Sequence, residues 1–260
     1  MNRCMPLLLL LIIQLLTSVA IGLGCEIRVR VPESNAYAPT FIQDASGRWG
    51  GLSIELAQTL LDEIGCTPVF VPLPFSRGIH SLKTGEIDMM LNMSITEERR
   101  SFVTYIGPQV DETIFFVTRK DPPFSIASLD DLKNLPAAVG VERGKVYGAE
   151  FERKRRFDPV FRSRLEEVDE VDLNARKLAL GRISGFLGYS YNVMYHIRTD
   201  PLYRDFVILP FIVNRDWVYF GISKKSVPPD LLDRIRGAYD RAKARGLFEA
   251  IRKKYVIEPD

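Results

Sequence analysis

The segment LNMSITEERRSFVTYIGP, residues 91–108, holds the residues best suited to chemistry in this sequence. Asn92, Ser94 and Thr96 are small polar residues that follow an apolar run, and Arg99 lies just inside a predicted helix start. A guanidinium is a planar fork of donors that matches a carboxylate. Backbone N–H groups at a helix start also favour anions. The segment therefore predicts a site for a small anion.

An ordinary structural interpretation of the same segment stays open. Ser94 or Thr96 is expected to cap the helix, which would place Glu97 and Glu98 in its favourable first turn. Arg99 would then form an ion pair with one of these two glutamates or with another nearby carboxylate. Surface ion pairs of this kind are common and contribute little.

The elements around this segment alternate between strands and helices. Apolar residues at helical spacing, glycines at helix ends and short β-branched runs predict a β-α-β-α-β order before residue 108. The pattern then restarts, with a capping box at Ser128 and Asp131 and a long helix opened by Pro228 and Pro229. Strands are predicted over 26–31, 69–71, 87–91, 113–118, 137–141, 183–187, 207–209 and 217–222, and helices over 52–64, 76–83, 171–179, 190–197 and from 229.

This order predicts an α/β fold with two lobes, each a sheet flanked by helices. Lobe one comprises residues 26–111 and 214–260, and lobe two comprises residues 112–213. A short strand that joins the lobes directly would act as a hinge. In open α/β sheets, ligands bind beyond the carboxyl ends of the strands. Two facing lobes would close those ends onto one cleft, as binding proteins do.

The N-terminus has the layout of a secretory signal peptide over residues 1–24. Arg3 precedes an apolar run over 7–16, and small residues follow that run. An uncleaved membrane anchor is the alternative, although the run is short for a membrane span and is interrupted by Gln14. We expect export across the inner membrane and a mature protein in the periplasm.

Cys25 and Cys66 are the two cysteines left after removal of the signal peptide. A pair of cysteines in an oxidising compartment predicts a disulfide. Each precedes a predicted strand, so parallel neighbouring strands would bring both thiols to one edge of the sheet. The alternative is a lipid anchor on Cys25, although Gly22 stands where a lipobox usually has Leu.

Charge and composition exclude several classes of function. Net charge is +2 from 35 basic and 33 acidic side chains, which is no electrostatic footprint for nucleic acid. The basic run over residues 153–156 is read as a solvated helix face. No metal-spaced cluster, serine elbow or Cys–His pair is present, so neither a metal nor another cofactor is expected.

Four segments carry a family resemblance, in order and over essentially the whole mature chain. They are GRWGGLSIELAQTLLDEIG, PFSRGIHSLKTGEIDMMLNMSITEERRSFVTYIGP, AVGVERGKVYG and KLALGRISGFLGY. The sequence resembles the bacterial extracytoplasmic solute-binding proteins of family 3, the amino-acid-binding components of ABC importers. The resemblance implies the two-lobe periplasmic-binding-protein fold of type II. It also implies that Arg99 clamps a ligand carboxylate, helped by Ser94 with Asn92 beside them, and that Tyr37 and Phe75 form an aromatic floor or lid.

The sequence departs from the family pattern at two positions. Val146 stands in the second-lobe loop where amino-acid binders commonly carry a Thr. Tyr189 stands where they commonly carry an Asp that pairs with the ligand ammonium, and without that carboxylate a free amino group is poorly neutralised. The solute is therefore carboxylate-bearing but need not carry an amine. Tyr189 is expected either to stack on a ligand or to pack in the lobe core, and Arg77 either to add a second cation or to lie on the surface.

Two other classes of function stay open for this fold. The first is a periplasmic enzyme such as a cyclohexadienyl dehydratase, for which Glu33 and Glu142 are the acid–base candidates. His80 and His196 are read as ordinary helix residues. The second is a sensory binding protein that feeds a membrane receptor. The expectation remains a non-enzymatic monomer that binds a small-molecule solute and serves an ABC permease.

Overall fold

The computed structural model of the protein describes residues 24–255, over which strands and helices alternate as the sequence predicts. The strands are β1 (Cys25–Val31), β2 (Ile42–Gln43), β3 (Trp49–Gly50), β4 (Cys66–Pro72), β5 (Met89–Met93), β6 (Val103–Arg119), β7 (Val139–Glu142), β8 (Leu165–Val168), β9 (Gly185–Tyr189) and β10 (Phe206–Ser223). The helices are α1 (Leu52–Asp62), α2 (Phe75–Thr84), α3 (Glu97–Arg100), α4 (Ala149–Phe157), α5 (Pro159–Ser163), α6 (Val171–Ala179), α7 (Ser190–Thr199), α8 (Pro229–Ala244) and α9 (Leu247–Lys254). Short 3-10 helices lie at Asn35–Tyr37, Leu129–Asn134 and Pro201–Tyr203.

The main sheet has the order β4-β1-β5-β10-β6-β9-β7-β8. At one end β1 lies parallel between β4 and β5, and at the other end β7 lies parallel between β8 and β9. The antiparallel pair β6 and β10 runs through the middle and joins the two ends. We name the two lobes by the predicted boundaries at residues 111/112 and 213/214, which remain a prediction.

The two central strands are much longer than the sequence indicated. The strands predicted over 113–118, 207–209 and 217–222 are parts of β6 and β10, which span 17 and 18 residues. Pro108 and Pro210 lie inside these long strands, each at a shift in the register of the β6–β10 pair. Proline lacks an N–H donor and is tolerated at such irregularities. The connection between the lobes is thus a continuous two-stranded ribbon rather than a short strand.

The helices form because their apolar residues recur on one side. In α1, Leu52, Leu56 and Leu60 are fully buried against the sheet, and complete burial of one such side chain contributes about 1.5–3 kcal/mol. The predicted capping box is present, with Ser128 and Asp131 bonding reciprocally, but it opens a 3-10 helix.

A disulfide links the start of β1 to the start of β4. The two strands pair in parallel with Cys25 directly opposite Cys66, and the two sulfur atoms are bonded. This confirms the predicted pairing, and the bond uses the thiol that a lipid anchor on Cys25 would need. The predicted signal peptide lies outside the described residues except for Gly24. Within residues 24–255 no helix is both long enough and apolar enough to cross a membrane.

Candidate functional site

Arg99 is positioned by the short helix α3. The Thr96 hydroxyl caps this helix by accepting the backbone N–H of Arg99 at 3.2 Å. Of the two candidate caps, Ser94 and Thr96, it is therefore Thr96 that caps α3. The Arg99 side chain turns inward from the first turn and is only 6% exposed. Its neighbour Arg100 stays exposed and forms an ion pair with Glu97 at 3.6 Å.

The Arg99 guanidinium reaches from one lobe to the other. Its Nη1 donates to the Ser94 carbonyl at 3.2 Å, and its Nη2 donates to the Gly144 carbonyl at 2.6 Å. Within residues 24–255 no carboxylate forms an ion pair with it, so the structure does not show the ion-pair alternative. Burial lowers the pKa of Arg99. A buried cation without a counter-ion is costly, which favours an anionic ligand beside it.

Three cations surround the ring of Phe75, the first residue of α2. The Arg30 and Arg99 guanidinium carbons lie 5.5 and 5.7 Å from the ring centroid, and the Lys145 Nζ lies 4.0 Å from it. Arg30 and Arg99 belong to the first lobe, and Lys145 belongs to the loop after β7 in the second. We call Arg30, Arg99 and Lys145 the cation cluster. A π face attracts cations at these distances.

Lys145 also faces two tyrosines. Its Nζ lies 5.4 Å from the Tyr37 centroid and 4.8 Å from the Tyr189 centroid. We call Tyr37, Phe75 and Tyr189 the aromatic cage. All three are buried, and Tyr189 also stacks on Tyr147 at 6.4 Å. Tyr189 is thus at once part of the second-lobe core and part of the cleft.

Several buried polar groups around the cage lack hydrogen-bond partners. Both carboxylate oxygens of Glu142 and of Glu170, the Nη2 of Arg30 and the hydroxyls of Tyr37 and Tyr189 have none. Glu142 is only 1% exposed. A buried donor or acceptor that is left unsatisfied costs about 1–3 kcal/mol. Such a concentration of them is typical of a site that receives water or a polar ligand.

Burial also shifts the pKa values of the carboxyl groups in the cleft. Removal from water raises the pKa of Glu142, and it raises the pKa values of Glu112 and Glu170 to about 7. Lys145 opposes the rise at Glu112 and Glu142 through its positive charge, and burial lowers its own pKa. Perturbed pKa values in a cleft are frequent at functional sites.

A cavity of about 270 Å³ lies beside this cluster. Ser94 and Val146, from opposite lobes, both line it, together with Thr96, Glu112 and Glu152. The structure thus brings Ser94, Arg99, Tyr37, Phe75, Val146 and Tyr189 to one region between the lobes. Within residues 24–255 no group of His, Cys, Asp and Glu side chains is arranged to hold a metal ion.

Three other residues that the sequence analysis singled out, Asn92, Arg77 and Glu33, do not belong to this group. Asn92 has a left-handed backbone, with φ 56°, and its Oδ1 accepts the Ser53 hydroxyl at 2.8 Å. Arg77 is exposed and lines a separate groove with His80. Glu33 is exposed as well.

Sequence reasoning missed four charged residues of the cleft: Arg30, Glu112, Lys145 and Glu170. Lys145 stood inside the quoted loop GVERGKVYG, and a lysine directly after the glycine of a ligand-facing loop was the available signal. Arg30 was hidden in the alternation of β1, where Val29 and Val31 form the core face. Arg30 lies on the opposite face and is nevertheless 4% exposed, since α2 covers it at Gly78.

Comparison with known proteins decides the family. Residues 29–258 match the model for the bacterial extracellular solute-binding proteins, family 3. The chain belongs to this family. This solute-binding protein is 25% identical over 250 residues to a candidate ABC transporter arginine-binding protein of Escherichia coli (strain K12), covering 94% of this chain and 97% of the relative. It is also 25% identical over 235 residues to the lysine/arginine/ornithine-binding periplasmic protein of the same strain, covering 87% and 86% of the two chains.

Solved structures show the same architecture. An ancestral arginine-binding protein bound to glutamine superposes with a TM-score of 0.75 at 25% identity and covers 90% of this chain and 98% of its own. The two-lobe fold of the family therefore applies to this solute-binding protein.

Proposed function

We propose that this protein captures a small carboxylate-bearing solute, amino-acid-like in size, between its two lobes. One observation carries the proposal. Arg99 is buried at the cleft, bridges the carbonyls of Ser94 and Gly144, and has no carboxylate partner among residues 24–255. Its planar donors match a solute carboxylate.

Capture proceeds by closure. The first lobe holds the carboxylate through Arg99 and Ser94. The loop from Arg143 to Tyr147 then closes over it from the second lobe, with Val146 lining the cavity. Only the added contacts between the solute and the second lobe stabilise the closed form, because a ligand shifts an equilibrium by its differential affinity for the two states.

The role that fits this capture is delivery to an ABC permease from the periplasm, by a monomer. The support is the family match together with the names of the two Escherichia coli relatives, one from an ABC transporter and one periplasmic. Both are named as binding proteins. A sensory role uses the same capture step, and a neighbouring permease and ATPase gene would distinguish import from sensing.

An enzymatic role has one observation in its favour. Glu142 is a buried carboxyl group in the cleft whose pKa is raised, as a general acid requires. Incubation of the protein with each bound solute, followed by mass analysis of the solute, separates the two roles. An unaltered solute supports binding alone, and a converted solute supports catalysis.

A thermal-shift screen tests the proposal. The mature chain from Cys25 is melted with amino acids, keto acids, dicarboxylates and aromatic carboxylates, each beside the analogue in which a carboxamide replaces the carboxylate. A solute at 100 times its Kd stabilises the native state by about 2.7 kcal/mol, so Tm rises by several degrees. We expect the rise with acids and not with their amides. Equal rises with both, or none with any acid, would refute carboxylate capture.

A further inference from the structure

Lys145 occupies a place that suits a ligand cation. Its Nζ lies over the rings of Tyr37, Phe75 and Tyr189 at 5.4, 4.0 and 4.8 Å. Three π faces around one point form a cage for a single cation. In this protein the cage already holds a cation of the chain itself.

This arrangement disfavours a basic solute. An ammonium or guanidinium that entered the cage would meet the Lys145 ammonium at short range, in surroundings where like charges repel more strongly than in water. The Arg30 and Arg99 guanidinium groups lie around the same Phe75 ring and add to the repulsion. The two Escherichia coli relatives are named for basic amino acids, one for arginine and one for lysine, arginine and ornithine. This protein would therefore differ from them in the charge of the solute that it binds.

The same lysine is suited to bind an anion. No carboxylate or carbonyl among residues 24–255 accepts a hydrogen bond from the Lys145 Nζ, and this ammonium has three donors. Arg99 likewise lacks a carboxylate partner in the described chain. The Lys145 Nζ lies 4.0 Å from the Phe75 ring centroid, and the Arg99 guanidinium carbon lies 5.7 Å from the same centroid. The two cations therefore lie close enough for one short molecule to reach both.

We infer that the solute is a small dicarboxylate, with one carboxylate on Arg99 and the second on Lys145. The inference rests on the proposed function, since it names the class of solute that the same cleft takes. Lys145 affects the choice of solute in two ways. It binds the second carboxylate directly, and it fills the aromatic cage against basic side chains.

The acids that face Lys145 are compatible with a dianion. Glu142 and Glu112 are the carboxyl groups whose charges act most strongly on Lys145. Burial raises the pKa of both, because it disfavours the charged form of a carboxyl group. A protonated carboxyl group donates a hydrogen bond to a carboxylate instead of repelling it. Arg30, Arg99 and Lys145, which lie around one Phe75 ring, supply the positive charges that would balance a dianion.

Isothermal titration calorimetry on the mature protein tests the inference. The probes are succinate and glutarate, L-aspartate and L-glutamate, the monocarboxylate butyrate, and L-arginine and L-lysine. The first two pairs separate dicarboxylates without an amine from those that carry one. Wild-type protein is expected to bind the best dicarboxylate at least about 30-fold more tightly than butyrate or either basic amino acid, as the loss of one buried charge pair implies.

Three substitutions at Lys145 isolate its contribution. Lys145→Met keeps the volume of the side chain and is expected to abolish the preference for dicarboxylate over butyrate. Lys145→Arg keeps the charge and should retain the preference. Lys145→Ala opens the cage beside Glu142 and should admit L-arginine or L-lysine. Lys243→Met removes the same charge from the exposed face of α8 and should change nothing.

The outcomes separate the inference from the proposed function. If carboxylates bind wild type but Lys145→Met retains the dicarboxylate preference, or if wild type prefers a basic amino acid, the inference is wrong and carboxylate capture stands. If no carboxylate binds, the proposed function fails and the inference fails with it. Thermal melts of each variant exclude unfolding as the cause.

Discussion

At the scale of single residues, burial separates the functional candidates from their neighbours. Arg99 and Arg100 are adjacent in sequence, yet one is 6% exposed at the cleft and the other forms a surface ion pair with Glu97. The arginine motif was recognisable in the sequence. The charges around it were not, because whether Arg30 or Lys145 turns inward depends on what covers the backbone at that point.

Glu112 gives a pH dependence that can be tested at this scale. Its pKa is raised from an ordinary 4.5 to about 7, so the native state holds a proton that the unfolded state loses. The stability contributed by this proton is present at acid pH and declines as pH rises from about 4.5 to about 7. Glu112→Gln removes the titration. Relative to wild type, its free energy of unfolding should increase by about 1 kcal/mol from about pH 5 to about pH 8, a value discounted for partial exposure.

Urea denaturation at both pH values measures this difference. Glu150→Gln, at an exposed position of α4, is the matched control and should follow the wild-type profile. Parallel profiles for Glu112→Gln and wild type would contradict the assigned protonation.

At the scale of elements, α7 connects the two lobes through side-chain hydrogen bonds. The Asn192 amide donates to the carbonyls of Tyr37 and Ala38 and to the Thr40 hydroxyl, the last two at 3.1 Å. His196, one turn later, lies 3.1 Å from the Ala36 carbonyl through its Nε2. These bonds join the second lobe to the segment that carries one wall of the aromatic cage.

Asn192→Ala is therefore expected to weaken solute binding without removing a direct ligand contact. The substitution disfavours the closed arrangement, and apparent affinity falls in proportion to the fraction of binding-competent molecules. We expect a roughly tenfold weaker Kd, equivalent to about 1.4 kcal/mol, with faster solute dissociation. Calorimetry and stopped-flow fluorescence measure the two effects. Asn134→Ala, exposed on the second lobe, is the control, and unchanged affinity in Asn192→Ala would show that α7 plays no part in closure.

The elements themselves were largely predictable from the sequence. The periodicity of α1 and α8 and the strand positions of β1 and β4 were correct, and the pairing of Cys25 with Cys66 followed from those positions. The full extent of β6 and β10 was not predictable. A proline favours the end of a strand, and only the pairing with the partner strand shows that Pro108 and Pro210 lie at irregularities inside longer strands.

At the scale of the whole molecule, the β6–β10 ribbon connects two lobes whose facing loops form one charged cleft. In the proposed site, the first predicted lobe contributes Arg99, Arg30, Tyr37 and Phe75, and the second contributes Lys145, Glu142 and Tyr189. The sequence order predicted that strand ends would converge here. Which charged side chains of the two lobes come together depends on how the lobes are placed relative to each other. No local sequence pattern encodes that placement.

The central claim is that Arg99 holds the solute carboxylate, and one calorimetric comparison tests it most directly. The best acid from the thermal-shift screen is titrated into wild type, Arg99→Ala and Arg100→Ala, after circular dichroism has confirmed that each is folded. We predict at least about 100-fold weaker binding for Arg99→Ala, because a buried charge-assisted pair is lost, and wild-type affinity for Arg100→Ala. A folded Arg99→Ala protein that binds the acid as tightly as wild type would contradict the account.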